Sequence, residues 1–275
     1  MTFLKAIILG IVQGLTEFLP ISSSGHLVLA QSLLNITEPL RKEILFFDVM
    51  LHFGTLLAVV VFFWRDIRDV LLAIFGRDPG LRRSNFKSKS PARMFFWYII
   101  FGTIPTLIIA MVLKKTIEKA FTDPLLVAIM LIITGVVLWL SGRIGQRGKI
   151  LNTSRAIIIG IVQGIAALPG ISRSGSTIST ALMLGIDGEQ AARFSLLMSI
   201  PAILGASILE LKEVQSVDIS VTMTLVGIGA AFIVGLIAIG FLVRVLKRGH
   251  LSRFAYYCWT IGALAIVWHF IKGSI

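Results

Sequence analysis

GIVQGIAALPGISRSGS (residues 160–176) repeats GIVQGLTEFLPISSSGH (residues 10–26) at a constant offset of 150, without a gap and with nine of seventeen positions identical. Shared apolar composition alone does not keep GIVQG and the following I-S-x-S-G in one register, so the two stretches are copies. Each copy interrupts an apolar region (3–35 and 155–185) with a cluster of Pro, Gly and Ser. The interruption leaves pieces of about 10–17 residues, below the ~20 needed to cross a bilayer. Each broken region therefore reads as a re-entrant hairpin of half-helices.

Outward from the hairpins, six apolar stretches approach full span length: 46–64, 95–113, 124–140, 194–209, 221–243 and 254–271. The fourth is the weakest, being short and containing Pro201. Trp64, Trp97, Trp139, Trp259 and Trp268 fall near the ends of these stretches, where interfacial indoles are expected. The 275 residues are 56% apolar and 15% charged, with a mean hydropathy of +0.91, which excludes a cytosolic enzyme, a disordered chain and a disulfide scaffold. The single cysteine, Cys258, has no partner within the chain. The first twenty residues carry Glu17 and no small-residue cleavage site, so they are not read as a removable signal.

The net charge of +12 is an orientation signal. Segments 65–93, 141–155 and 244–253 hold sixteen of the 26 Lys and Arg, including Arg77, Arg82, Arg83, Lys87, Lys89 and Arg147. The intervening segments 35–45, 114–123 and 212–218 balance six basic against six acidic residues. The positive-inside rule places the first set in the cytoplasm and both termini outside. Anionic lipid headgroups are the secondary partner of those loops. Nucleic acid is excluded as a partner because no aromatic platform accompanies the charge.

A hairpin plus three spans reverses direction, so the second copy enters the membrane from the opposite side. The expected fold is an all-α integral membrane protein, a single domain over 1–275. It has six transmembrane helices, two re-entrant hairpins and inverted-topology repeats of about 1–141 and 151–275. Helix breaks of such repeats meet near the midplane, and non-helical backbone survives there only around an enclosed or wet cavity. A central polar pocket lined by both breaks follows.

The residues at the breaks suggest its chemistry. Gln13 and Glu17, spaced i,i+4, share one helix face. A carboxylate at membrane depth is costly and functional by default: a base, a partner for His26, or a cation ligand with Gln13. The first break supplies Ser22, Ser23, Ser24 and His26; capping is the first reading of Ser22, and a histidine can serve as nucleophile or proton carrier. The second supplies Gly170, Ser172, Arg173, Ser174 and Thr177, which combine a guanidinium fork, hydroxyls and a half-helix N-terminus at 176–185 into a phosphate cradle. Arg173 aligns with Ser23, so the two copies bring different chemistry to one position. A structural bridge between Arg173 and Glu17 is the alternative reading. Asp48 and His52 read as an interfacial pair in preference to a ligand set, and Glu210, Glu213 and Asp218 as solvated. Zinc spacings, a Walker loop and a G-x-S-x-G elbow are missing from the sequence.

Gln13–Glu17 as Q-x-x-x-E, P-I-S-S-S-G-H ending at His26, and P-G-I-S-R-S-G-S-T from Pro169 to Thr177 resemble the motifs of the bacterial undecaprenyl-diphosphatase family of the bacitracin-resistance type. The resemblance covers essentially the whole chain. It implies a hydrolase of the bacterial inner membrane that converts undecaprenyl diphosphate to undecaprenyl phosphate and inorganic phosphate, recycling the lipid carrier for peptidoglycan. The implied catalytic residues are Glu17, Ser23, His26 and Arg173, with Ser22, Ser24, Gly170, Ser172, Ser174 and Thr177 on the diphosphate. It also implies a divalent cation, Mg²⁺ or Ca²⁺, at Gln13 and Glu17, and a site open to the periplasm. Gln13 stands where the family also uses Glu, leaving one carboxylate fewer for a metal. The other family of membrane lipid phosphatases needs a histidine after S-R that this chain lacks. A polyprenyl-phosphate flippase is the alternative function, and the oligomeric state stays open, a homodimer included.

Overall fold

A run of apolar residues must fold into a helix at membrane depth, because no water is present to satisfy its backbone. The computed structural model, which describes residues 2–36, 41–76, 92–121, 123–144, 148–213 and 220–273, is accordingly all-helical. In chain order the helices are α1 (Phe3–Phe18), α2 (Ser23–Leu33), α3 (Arg41–Phe62), α4 (Trp64–Ile74), α5 (Ala92–Val112), α6 (Lys114–Ala120), α7 (Pro124–Ser141), α8 (Thr153–Ile165), α9 (Arg173–Met183), α10 (Gly188–Glu213), α11 (Val221–Lys247) and α12 (Phe254–Gly273). Six of them, α3, α5, α7, α10, α11 and α12, are long and apolar enough to cross a membrane. Arg77, Arg82, Arg83, Lys87, Lys89, Arg147 and Asp218 lie outside the described residues.

The broken regions do form pairs of short helices. At 1.5 Å per residue, α1 is about 24 Å long and α9 about 16 Å, both below the ~30 Å hydrocarbon core. Ser22 and Ser172 are the N-caps of α2 and α9, their hydroxyls accepting from the backbone N–H of Gly25 and Gly175. The expected start at Ser176 moves to Arg173, because the cap sits one residue before the arginine and makes it the first residue of α9.

The shared GIVQG is a packing device. α1 lies along α11, and α8 lies along α5. A Cβ on Gly10 or Gly14 would come within 2.6 Å of the Gly227 or Ala231 carbonyl oxygen, and one on Gly160 within 2.0 Å of that of Gly102. Glycines four apart let these backbones touch, as small-xxx-small pairs do between membrane helices. The two breaks also meet each other: Gly25 packs on Gly170, and Gly175 on Pro20. Adding 150 to the first-copy residue of one contact and subtracting 150 from its second-copy partner gives the other.

The fourth span is longer than its apolar core implied, running from Gly188 through Pro201 to Glu213. Its polar first turns are stabilised by partners on other elements. Glu189 pairs with Lys247 at 2.8 Å, and Arg193, fully buried, pairs with Asp66 of α4 beneath the Phe95 ring. Glu210 belongs to this helix and is half-buried rather than solvated, while the Glu213 side chain is outside the described set. Trp64, Trp97 and Trp268 are exposed, whereas Trp259 turns inward and donates to the Ile132 carbonyl at 3.2 Å.

Candidate active site

Glu17, in the last turn of α1, is buried where the two breaks converge, and four side chains close on its carboxylate. Gln13 Nε2, one turn back, donates to Oε2 at 3.0 Å. Ser23 Oγ, at the start of α2, donates to the same oxygen at 2.6 Å. Arg173 Nη2, at the start of α9, donates to Oε1 at 2.6 Å. His52 Nε2 of α3 stands 3.7 Å from Oε2. The Ser23 and Arg173 contacts are short, as charge-assisted hydrogen bonds are.

The bridge between Glu17 and Arg173 thus exists, and it does not saturate either partner. Arg173 Nη1 and Gln13 Oε1 are buried and make no hydrogen bond. Both belong to this one cluster, and each unmet group costs about 1–3 kcal/mol in a site kept without a ligand. One is a cationic donor and the other a neutral acceptor, which suits a bound anion with an associated cation.

Helix starts add to the donor set. Four backbone N–H groups at each helix start have no intrahelical acceptor, and they carry the positive end of the dipole. The caps satisfy only Gly25 and Gly175 through side chains. Ser22 has φ +70, a conformation that non-glycine residues rarely adopt. Its carbonyl lies 2.8 Å from His26 Nδ1. A carbonyl only accepts, so Nδ1 carries the proton and the neutral ring has its lone pair on Nε2. Tyr257 Oη of α12 lies 2.9 Å from that nitrogen, with the two rings stacked at 13°.

The polar side chains of the breaks divide into two groups. Ser23, Ser24, His26 and Arg173 are partly open. Ser174 and Thr177 are buried and already bonded, Ser174 Oγ to the Leu19 carbonyl at 3.1 Å and Thr177 Oγ1 to Ser195 Oγ at 2.5 Å. Gly170, at φ +90, has room for no side chain, since a Cβ would sit 2.3 Å from the Val127 carbonyl oxygen; Thr134 bonds both its carbonyl and the Ser172 N–H. The open face of the cradle is therefore Ser23, Ser24, His26 and Arg173, with the buried hydroxyls bracing it from behind.

Two comparisons bear on this cluster. The family model described as Bacitracin resistance protein BacA matches residues 6–264. The chain belongs to that family. Proteins named undecaprenyl-diphosphatase are similar along its length. That of Methanosphaera stadtmanae is 45% identical, covering 96% of this chain and 97% of the relative. Those of Desulforapulum autotrophicum and Moorella thermoacetica are 40% and 41% identical, each over 98% of this chain and 100% and 99% of the relative.

Within this BacA-family chain, the arrangement corrects one expectation. Asp48 and His52 are not an interfacial pair. The Asp48 carboxylate accepts from Gln31 Nε2 at 2.9 Å, and His52 turns its ring to Glu17 while Nδ1 donates to the Asp48 carbonyl at 2.8 Å. Successive helical turns place both residues on one face, but the carboxylate is drawn to the α2 amide and the imidazole to the buried charge. Tyr257 and Ser195 were not anticipated; no spacing signal links them to the breaks. A cation here would find the Glu17 carboxylate and the unbonded carbonyl oxygen of Gln13, Oε1. No cluster of three His, Cys, Asp or Glu occurs among the described residues. That donor set fits an ion completed by phosphate oxygens and water, the usual environment of Mg²⁺, and not an all-protein cage.

Proposed function

We propose that this multi-pass membrane protein hydrolyses undecaprenyl diphosphate to undecaprenyl phosphate and inorganic phosphate, recycling the carrier lipid on which peptidoglycan and other envelope polymers are assembled. The observation that carries the reading is the Ser23–Glu17–Arg173 triplet. A hydroxyl donates to a buried carboxylate whose other oxygen is held by a guanidinium with one NH₂ still free. Its membership of the BacA family and the names of its relatives support the substrate.

In this mechanism the terminal phosphate lies against Arg173 Nη1 and the N–H groups that begin α2 and α9. Ser23 Oγ attacks its phosphorus as Glu17 takes the hydroxyl proton. The P–O bond to the bridging oxygen breaks, and undecaprenyl phosphate leaves. Water then attacks the phosphoserine, giving its proton to His26 Nε2; phosphate departs, Ser23 regains its proton from Glu17, and His26 releases its proton to solvent. Fixed donors aimed at the charge that builds on the phosphoryl oxygens supply most of the stabilisation. Glu17 and Gln13 would hold a divalent cation, which would neutralise diphosphate charge. Gly25–Gly170 and Gly175–Pro20, contacts exchanged by the offset of 150, support re-entrant hairpins in inverted repeats. With the basic loops inside, the termini are periplasmic and the site opens to that side.

The test is phosphate release from undecaprenyl diphosphate by the purified protein with Mg²⁺ or Ca²⁺. Wild type turns over, Ser23→Ala does not, and His26→Ala accumulates phosphorylated Ser23. A wild type inert with both cations refutes the function; a fully active Ser23→Ala refutes the nucleophile alone.

A further inference from the structure

Tyr257 faces the one ring nitrogen of His26 that the Ser22 carbonyl leaves free. The next two residues of α12 anchor it to the break and to α7: Cys258 Sγ donates to the Pro20 carbonyl at 3.6 Å, and Trp259 Nε1 to the Ile132 carbonyl. The residue is nonetheless 41% exposed, on the least enclosed of the six long apolar helices. A phenol held this firmly at the lipid-facing rim is placed for contact with something arriving from the bilayer.

We propose that Tyr257 is a positioning residue for His26. Its hydroxyl donates to Nε2 and its ring stacks on the imidazole, so the ring plane and the Nδ1–H tautomer are fixed before the lipid diphosphate arrives. A phosphate oxygen or the hydrolytic water then takes the hydroxyl's place at Nε2, meeting a lone pair that is already aimed. Two constraints act on the ring, the Ser22 carbonyl at Nδ1 and the phenol at Nε2, and only the second lies where substrate can displace it. The functional part of this inference rests on the phosphatase reading; the tautomer does not.

Tyr257→Phe keeps the stack and removes the hydroxyl, and Tyr257→Leu removes both. Phosphate release from undecaprenyl diphosphate and the ¹⁵N spectrum of the histidine side chains, assigned with His26→Gln, are measured on the full chain in detergent. The expected result for Tyr257→Phe is a kcat lower by about tenfold with KM within about twofold, as for a group lost from the aligned state more than from binding. Wild-type His26 is expected to show an unprotonated Nε2 and a single tautomer, and Tyr257→Phe a mixture. Wild-type kcat in Tyr257→Phe, or an unchanged His26 spectrum, overturns the proposal. An inert wild type refutes the phosphatase reading, and the spectrum then still decides whether Tyr257 sets the tautomer.

Discussion

Arg173→Lys separates the charge of the guanidinium from its geometry. The arginine spends one NH₂ on Glu17 Oε1 at 2.6 Å and keeps the other buried and unbonded, the group that meets phosphate in the proposed mechanism. A lysine at the same place has one ammonium on a flexible stem, and it cannot span both partners as a planar fork does. Pairing with Glu17 is always available to it, so the phosphate contact is the one lost. Removing a single preorganised donor from a developing oxyanion costs about 2.7–4 kcal/mol, or 10²–10³ in kcat. Folding should hardly change, since Glu17 keeps a cationic partner. Arg173→Ala behaves differently: it strands a buried carboxylate, a loss of about 3–5 kcal/mol that lowers thermal stability as well as activity. The assay is steady-state phosphate release with a parallel thermal melt in the same detergent. Arg173→Lys within threefold of wild-type kcat, or with a melt as depressed as that of Arg173→Ala, would show that the bridge is structural and that the free NH₂ does no catalytic work.

Glu17→Gln, nearly isosteric, retains an acceptor for Ser23 but no base, and should lower kcat by about 10²–10⁴ in the same assay. Gly160→Leu drives a side chain into the Gly102 carbonyl and should abolish folded protein on size-exclusion chromatography, while Gly229→Ala, with nothing within 4 Å, should stay within about 0.5 kcal/mol of wild type. Arg193→Leu removes the buried guanidinium that pairs with Asp66 and should cost about 3–5 kcal/mol by thermal melt.

The breaks and the long spans were legible in the sequence because both are local signals: Pro, Gly and Ser interrupting an apolar run, and twenty apolar residues without a charge. Glu17 and Arg173 stood out by the cost of charge at that depth, Ser23 and His26 by their place in the first break, and the structure brings Ser23 and Arg173 onto Glu17. What escaped is tertiary. Tyr257 lies 231 residues from His26, and its neighbours Tyr256 and Trp259 make it look like one of an interfacial set. His52 sits i,i+4 from Asp48, a spacing that suggests a local pair; only the placement of α1 and α2 around α3 sends the ring to Glu17 and the carboxylate to Gln31. The start of α10 was hidden for the converse reason. Gly188–Arg193 is too polar to read as span, and its charges become tolerable only through Asp66 and Lys247 on distant helices.

The offset of 150 also accounts for the asymmetry of the site. Related backbones place positions 23 and 173 at equivalent points, the first residue of α2 and of α9, each after a capping serine. Two identical residues there would give either two hydroxyls with no fixed cation or two guanidiniums repelling across a buried gap. With serine at one and arginine at the other, both reach the same carboxylate, the hydroxyl on Oε2 and the guanidinium on Oε1. Glu17 has Ala167 as its own counterpart, so the second copy brings no matching carboxylate to oppose it. The duplicated sequence thus yields a directional site: one copy brings a hydroxyl to the carboxylate, the other a guanidinium. Exchanging the two residues, Ser23→Arg with Arg173→Ser, conserves composition and net charge, yet the flanking Gln13, His26 and His52 all stay on their original sides of Glu17. The exchanged protein should therefore fold no better than Arg173→Ala and release no phosphate, whereas substantial activity would mean that the pocket's charge, and not its handedness, is what catalysis requires.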